Sequence, residues 1–245
     1  MSEVRLEQRL QLRDRPNRTP LMFQTWTNLL FAHWEVAPEA IQQMLPAGLT
    51  VDTWEGRAFV GVVPFFIRGL RPRRVPRLPW ISNCLEVNIR TYVFDARGNP
   101  GVWFYSLDCN QPFAVWFARA MFSLPYQHAK MSARFNPEGS LDYRSQRRSE
   151  PCAAQFDYTI ESGATLAEPG SFEFFLIERY LLFTAHDGRL YRVQVHHRAY
   201  PLGNASLRSY SIQHFEPSAM ITEAPPVHVI GCSGVDVEIF SAEAV

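Results

Sequence analysis

Stretches rich in aromatic and β-branched residues recur along almost the whole chain, and this recurrence restricts the fold more than any other feature. Such residues favour strands, and the Gly-, Pro-, Asn- and Asp-containing segments between them favour turns. The stretches cover residues 23–34, 59–67, 85–94, 102–108, 129–135, 154–160, 172–184, 190–198, 206–214 and 227–240. About ten strands joined mostly by short connections predict a closed or strongly curved antiparallel sheet.

Two helices are predicted between these strands. Residues 38–45 begin with a proline and stop at Pro46, and residues 113–122 follow the capping sequence 110–112 and end before Pro125. The second helix is apolar on nearly every side, so we expect it to be buried as a plug against the sheet. The Arg/Pro-rich segment 68–79 is predicted to be irregular, either as a solvated basic loop or as a flap.

The chain is predicted to form one domain of mixed α+β class, mainly antiparallel β. Residues 1–20 have the sequence of a polar arm, which could include a short helix. No internal repeat and no composition shift divides the remainder, so residues 21–245 are assigned to a single domain.

The composition excludes several classes of protein. The 245 residues carry equal numbers of acidic and basic side chains and are 47% hydrophobic, which is typical of a globular domain and not of a nucleic-acid-binding protein. The four cysteines are far apart, so neither a disulfide framework nor a structural metal site is expected. Because no apolar segment is long enough to span a bilayer and no secretory signal is present, we expect a cytoplasmic protein without a membrane partner.

The predicted strand at 84–93 carries an unusual row of polar side chains. Glu86, Asn88, Arg90 and Tyr92 alternate with apolar residues and therefore share one face of the strand. If this face is exposed, the row is merely solvated. If it lines a barrel, Glu86 and Arg90 must pair with other groups or meet a ligand, because isolated buried charges are costly.

The stretches at 102–108 and 172–184 also carry polar groups among apolar ones. The first has bulky residues on both faces, so it should be buried on both sides, and Ser106 and Asp108 then need partners. Asp108 also fits a cap or turn position before the helix at 113–122. In the second stretch, Glu178 and Arg179 would point to opposite faces of a strand and could not pair with each other.

Four passages resemble a known family: PEAIQQMLPAGLTVD at 38–52, CLEVNIRTYVFDARGNPGVWFYSLDC at 84–109, ARAMFSLPYQHAKM at 118–131 and FLIERYLLF at 175–183. They are similar to the YqjF-like family of uncharacterised bacterial proteins, within the acetoacetate decarboxylase-like superfamily. The resemblance covers nearly the whole chain after residue 20. It implies a cone-shaped antiparallel β-barrel with a few peripheral or plugging helices and an interior small-molecule pocket, which Glu86, Asn88 and Arg90 would face.

Acetoacetate decarboxylases act through a lysine that forms a Schiff base with a keto acid. Against their pattern, Arg119 and Pro125 fit, but Tyr126 and Gln127 stand at the positions of the two lysines, and Glu86 fits the active-site glutamate. The chain's only lysine, Lys130, lies four residues beyond Tyr126. The resemblance therefore implies the pocket but not the Schiff-base chemistry.

The sequence leaves three functions open. The first is binding of a small polar or carboxylated metabolite, without a cofactor. Its candidate ligand-binding residues are Asn88, Arg90, Tyr92, Ser106, Arg119 and Lys130. The second is a lyase or isomerase in which Tyr126 and Glu86 are catalytic, with Tyr126 as a general acid if a cation lowers its pKa. The third is a non-catalytic structural or interaction protein. A homo-oligomer is compatible with all three.

Overall fold

A computed structural model describes residues 4–212, 221 and 224–245. In this part of the chain the helices are α1 (Leu6–Gln11), α2 (Pro38–Gln43), α3 (Pro112–Phe122) and α4 (Phe172–Ile177). The strands are β1 (Met22–Val36), β2 (Leu49–Val51), β3 (Ala58–Pro72), β4 (Cys84–Asp95), β5 (Pro100–Cys109), β6 (Tyr126–Phe135), β7 (Leu141–Arg147), β8 (Ala154–Ile160), β9 (Leu181–His186), β10 (Arg189–His196), β11 (Leu202–Ser211), β12 (His228–Ile239) and β13 (Glu243–Ala244). None of these helices is long and apolar enough to cross a membrane.

The sheet closes on itself in two ways. In the described residues, nine strands form a larger ring in the order β1-β3-β4-β5-β6-β7-β8-β11-β12, with β12 pairing back to β1. A smaller ring of seven strands forms because β9 pairs with β5 and β10 pairs with β12. The pairs β5–β6 and β5–β9 are parallel and the other pairs of the two rings are antiparallel, so the barrel is mixed although mainly antiparallel.

The five strands that the rings share have a core on each face. On β4, Leu85, Val87 and Ile89 belong to the core of the larger ring, which the side chains of β7 and β8 complete. The alternate residues of β4 point into the smaller ring, whose core includes residues of β10, α3 and α4. Every residue of β4 is consequently buried. The prediction that the 102–108 strand is buried on both faces is confirmed, with Trp103 alone half-buried.

Helix α3 connects β5 to β6 and covers the opening of the smaller ring. The Gln111 side chain accepts a hydrogen bond from the backbone of Phe113, as expected of a helix cap. The prediction that this helix is buried was wrong, because only Val115 and Phe122 are buried and Trp116 is 63% exposed. Apolar residues around the whole helix do not mark burial here, since one side of the helix faces the ring and the other faces outward.

The prediction of one strand over residues 172–184 was also wrong. Helix α4 occupies Phe172–Ile177, a short loop follows, and β9 begins only at Leu181. The Ser171 side chain accepts a hydrogen bond from the backbone of Phe174 and so starts the helix. Residues 174–177 are all buried, which means that tertiary packing overrides the strand preference of their side chains.

Other boundaries also differ from the sequence-based expectation. Strand β3 continues to Pro72, so the segment predicted to be irregular at 68–79 is regular as far as residue 72. The predicted strand 206–214 corresponds to β11, and residues 213 and 214 lie outside the described part. The amino-terminal arm contains α1 and is held to the barrel by a bidentate ion pair from Arg9 to Asp52.

Candidate ligand site

The smaller ring encloses a cavity of about 130 Å³. An apolar cavity of comparable size accommodates a molecule such as benzene, so this space suits a ligand of only a few non-hydrogen atoms. Its walls are mostly aliphatic and aromatic side chains from β1, β3, β5, β10 and α3. The lining side chains with charged, amide or phenol groups are Gln24, Glu86, Asn88, Arg90, Tyr126, Arg179 and Tyr200.

Glu86 and Tyr126 meet at one end of the cavity. Strand β5 lies between their strands, with Cys109 opposite Glu86 and Leu107 opposite Tyr126, and this register brings the two side chains together. The Tyr126 hydroxyl donates a hydrogen bond of 2.7 Å to Oε2 of Glu86. The sequence-based placement of Tyr126 next to Glu86 therefore agrees with the geometry.

Burial has the largest effect on the pKa values of Glu86 and Tyr126. Burial raises the pKa of Glu86 to about 7, against the opposing effect of the hydrogen bonds from Tyr126 and Asn88. Burial, together with the charge of Glu86, raises the pKa of Tyr126 well above its ordinary value. Tyr126 therefore stays protonated near neutral pH, and the condition set for its role as a general acid, a pKa lowered by a cation, is not met.

Arg90 and Arg179 provide charge at another part of the cavity. Arg90 is only 9% exposed, and its guanidinium lies over the rings of Phe31 and Tyr92, at 5.4 and 5.8 Å. Arg179 donates from Nη1 to Asp52 at 2.7 Å and lies 5.0 Å from the centre of the Tyr92 ring. Burial lowers the pKa of Arg179 to about 10, although Asp52 opposes this, so the group remains charged near neutral pH.

Several atoms of these groups have no hydrogen-bond partner in the described part of the chain. They are Nε and Nη2 of Arg90, Nη2 of Arg179 and Oδ1 of Asn88, all buried in residues that line the cavity. Buried charged donors without partners are costly, and an anion in the cavity would compensate them. The arrangement is therefore suited to binding a small anion that accepts several hydrogen bonds.

The remaining predicted residues lie outside the cavity lining. Tyr92 is behind the two arginines, and its hydroxyl hydrogen-bonds to Nε2 of His33 at 2.7 Å. Arg119 is exposed on α3 and donates from Nε to the Tyr126 carbonyl at 2.6 Å. Lys130 is exposed on β6, opposite Gln146 of β7. As the chain's only lysine lies there, the cavity offers no lysine amine.

The side chain of Ser106 points into the larger ring and not into the cavity. A register shift in the β4–β5 pairing puts Ser106 opposite Ile89 and Phe104 opposite Arg90, so Phe104 and not Ser106 faces the cavity. Ser106 accepts a hydrogen bond from Arg147. Asp108 is not a helix cap, because it lies within β5 and pairs with Arg147 at 2.7 Å.

Sequence reasoning missed Arg179 as a cavity residue. Its position depends on the turn between α4 and β9, which a strand over this segment could not provide. The available signal was the Glu178–Arg179 dipeptide within an apolar run, since charged residues in such a setting need buried partners. Glu178 has them: it accepts hydrogen bonds from the Tyr180 hydroxyl and the Tyr200 backbone.

A family model described as an uncharacterized conserved protein, DUF2071, matches residues 23–236. The chain belongs to the DUF2071 family. Among curated relatives, the uncharacterized protein YqjF of Bacillus subtilis strain 168 is 38% identical over 191 residues, which is 78% of this chain and 78% of that protein. The resemblance to the YqjF-like family is thus confirmed.

Solved structures show which fold this DUF2071 member has. An acetoacetate decarboxylase-like enzyme from Sphingomonas wittichii RW1 superposes with a TM-score of 0.64, covering 93% of this chain and 94% of that chain at 13% identity. The enduracididine biosynthesis enzyme MppR, complexed with pyruvate, gives a TM-score of 0.61 over 94% and 93% of the two chains, also at 13% identity. The expected acetoacetate decarboxylase-like barrel is confirmed; identities this low show the fold alone.

Proposed function

We propose that this DUF2071 member binds a small carboxylate in the cavity of the smaller ring. The carboxylate accepts hydrogen bonds from Arg90 and Arg179, and the rest of the ligand packs against the apolar walls. The observation that carries the proposal is the set of buried, unpartnered guanidinium nitrogens on these two arginines. Arginine suits this role because its planar fork matches the two oxygens of a carboxylate.

The charges around the cavity support an anionic ligand. Asp52 is paired with both Arg9 and Arg179, so its single negative charge is shared between two guanidinium groups. Arg90 has no carboxylate within 4.0 Å among the described residues. The cavity volume of about 130 Å³ limits the ligand to about the size of pyruvate or isobutyrate. MppR was solved in complex with pyruvate, so a protein of this fold can hold such a molecule.

Binding is tested by calorimetry with pyruvate, isobutyrate and isobutyramide, the last matching isobutyrate in shape but without the charge. We expect the two carboxylates to bind and the amide to bind at least about tenfold more weakly, because buried charged hydrogen bonds contribute roughly 1.5–3 kcal/mol. Arg90→Gln should abolish carboxylate binding, whereas Arg189→Gln, an exposed arginine on β10, should not change it. Equal affinity for the amide, or unchanged binding by Arg90→Gln, would refute the proposal.

A second candidate function is proton transfer at a carbon next to the carboxylate or carbonyl, as in a lyase or isomerase. The hydrogen-bonded Tyr126–Glu86 pair favours it, because a carboxyl with a pKa of about 7 can both accept and donate a proton near neutral pH. The Cα atoms of Glu86 and Arg90 are about 13 Å apart along β4, so a very small ligand held by Arg90 does not readily reach Glu86. We therefore place binding first.

The two functions are separated with the Glu86→Gln variant. If the protein only binds, Glu86→Gln keeps its affinity for pyruvate within about threefold, and no solvent deuterium enters the methyl group of pyruvate above the background rate. If it transfers protons, the wild-type protein exchanges that methyl group in deuterium oxide and Glu86→Gln does not. A Schiff base with pyruvate, trapped by borohydride reduction, would contradict both functions, since it requires an amine in the cavity.

A further inference from the structure

The cavity reaches the surface between two segments of the chain. Leu70, Pro72 and Ile81 line it from the segment 68–83, and α3 lines it from the opposite side, with the half-exposed Phe113 at its first turn. The two segments are joined where the side-chain amide of Gln111 donates to the carbonyl oxygen of Trp80 at 2.8 Å. Together they form the rim of the cavity, which we define as residues 68–83 and 110–127.

The rim exposes large apolar side chains to solvent. Trp80 is 89% exposed and Trp116 is 63% exposed, although tryptophan is a residue that most proteins keep largely buried. The other exposed apolar side chains of the rim are Val75, Leu78, Phe113 and Met121. The rings of Phe113 and Trp116 are in contact, with centroids 5.8 Å apart. Exposed apolar patches mark surfaces that bind another molecule.

The same rim is strongly basic. Residues 68–83 contain five arginines and no acidic residue, and residues 110–127 contain Arg119 and no acidic residue, whereas the whole chain has zero net charge. Arg73, Arg74 and Arg77 are exposed near Trp80 in the chain. None of the five arginines has a carboxylate within 4.0 Å in the described residues.

We propose that the rim docks on the surface of an anionic lipid bilayer. Exposed tryptophan and phenylalanine next to arginine match the boundary between acyl chains and phosphate headgroups, where aromatic rings and basic side chains both bind favourably. A second copy of the chain is a poorer occupant, because a symmetric contact would bring six arginines of one copy against six of the other. The cavity would then open toward the bilayer.

This contact is peripheral and differs from the sequence-based expectation of no membrane partner. It requires only a few side chains at the headgroup level and no segment that crosses the bilayer. It does not depend on the carboxylate-binding proposal, since the rim and the buried arginines are different residues.

The test is co-sedimentation of the full chain with vesicles of phosphatidylcholine alone or with 30% phosphatidylserine. We expect binding to the anionic vesicles only, weakened by added salt. A basic residue near an anionic surface strengthens binding about fivefold, so R73E/R74E/R77E should lower affinity by at least ~100-fold. R134E/R148E/R189E makes the same charge change at exposed arginines outside the rim and should lower affinity far less. W80S/W116S should weaken binding while keeping its salt dependence.

Three results would overturn the proposal. The first is absence of binding to both kinds of vesicle, which would leave an acidic protein surface as the occupant. The second is equal loss of affinity in the two triple variants, which would show that net charge and not the rim is responsible. The third is a dimer in sedimentation equilibrium that W80S/W116S dissociates while vesicle binding is unchanged, which would make a second copy the occupant. Circular dichroism checks that each variant is folded.

Discussion

Arg90 and Arg179 lie over the ring of the same residue, Tyr92, and in the described structure two buried guanidinium nitrogens of Arg90 and one of Arg179 have no hydrogen-bond partner. Buried charged groups that lose hydration without gaining hydrogen-bond partners are costly, so both arginines are unfavourable in the absence of a ligand. An anion that accepts hydrogen bonds from both guanidinium groups would offset this cost, and proteins retain such destabilising groups where function requires them. This relationship is the main argument for an anion site.

Replacing Arg90 with methionine should stabilise the unliganded protein. The substitution removes a buried charge without an ion-pair partner and keeps an unbranched apolar chain of similar length against Phe31. We expect the free energy of unfolding to rise by about 1 kcal/mol or more. Urea denaturation measures this, with the exposed Arg189→Met expected to change stability by less than about 0.5 kcal/mol. Clear destabilisation by Arg90→Met would mean that Arg90 has a structural partner.

Glu86 should make stability depend on pH. Its pKa is raised from 4.5 in the unfolded chain to about 7 in the folded protein, so the folded state binds more protons between these values. The stability contribution is then fully present below about pH 4.5 and is lost as the pH rises through about 7, by about 3 kcal/mol in total at ~1.36 kcal/mol per pH unit.

Comparison of the wild-type protein with Glu86→Gln isolates this contribution. The amide keeps the size of the side chain and its hydrogen-bonding oxygen but cannot ionise. We expect the variant to gain stability relative to the wild type as the pH rises from 5 to 8, measured by urea denaturation at each pH. A difference that stays constant over this range would show that Glu86 does not titrate there.

Asp52 should hold the amino-terminal arm and Arg179 in place together. Asp52→Asn leaves Arg9 and Arg179 without their anion at a buried position, and we expect a loss of about 3 kcal/mol of stability. The arm should also become more sensitive to proteolysis, because Arg9 lies on α1. Asp142→Asn, at an exposed pair with Arg144, should cost less than about 1 kcal/mol. Equal losses in the two variants would contradict this account of the arm.

The sequence predicted the part of the site that follows from periodicity. The two-residue repeat of β4 correctly grouped Glu86, Asn88 and Arg90 on one face, and the resemblance supplied the position of Tyr126 relative to Glu86. The resemblance also supplied the barrel, because strand composition alone does not show how a sheet closes.

Features that depend on tertiary packing could not be predicted. The register shift that turns Ser106 away from the cavity is a property of the β4–β5 pairing and has no marker in either strand. Arg179 reaches the cavity only because residues 172–177 form a helix, against the strand preference of their aromatic and β-branched side chains. Arg119 was predicted to bind the ligand, but it lies on the outer side of α3 and donates a hydrogen bond to the backbone carbonyl of Tyr126.

The central claim is most directly tested by a crystal structure of the protein with pyruvate. We expect its carboxylate oxygens within about 3 Å of Nη2 of Arg90 and Nη2 of Arg179, with no covalent bond to the protein. Pyruvate bound only beside Glu86 and Tyr126, with both guanidinium groups still without partners, would contradict the account. An empty cavity at pyruvate concentrations that saturate binding in solution would contradict it equally.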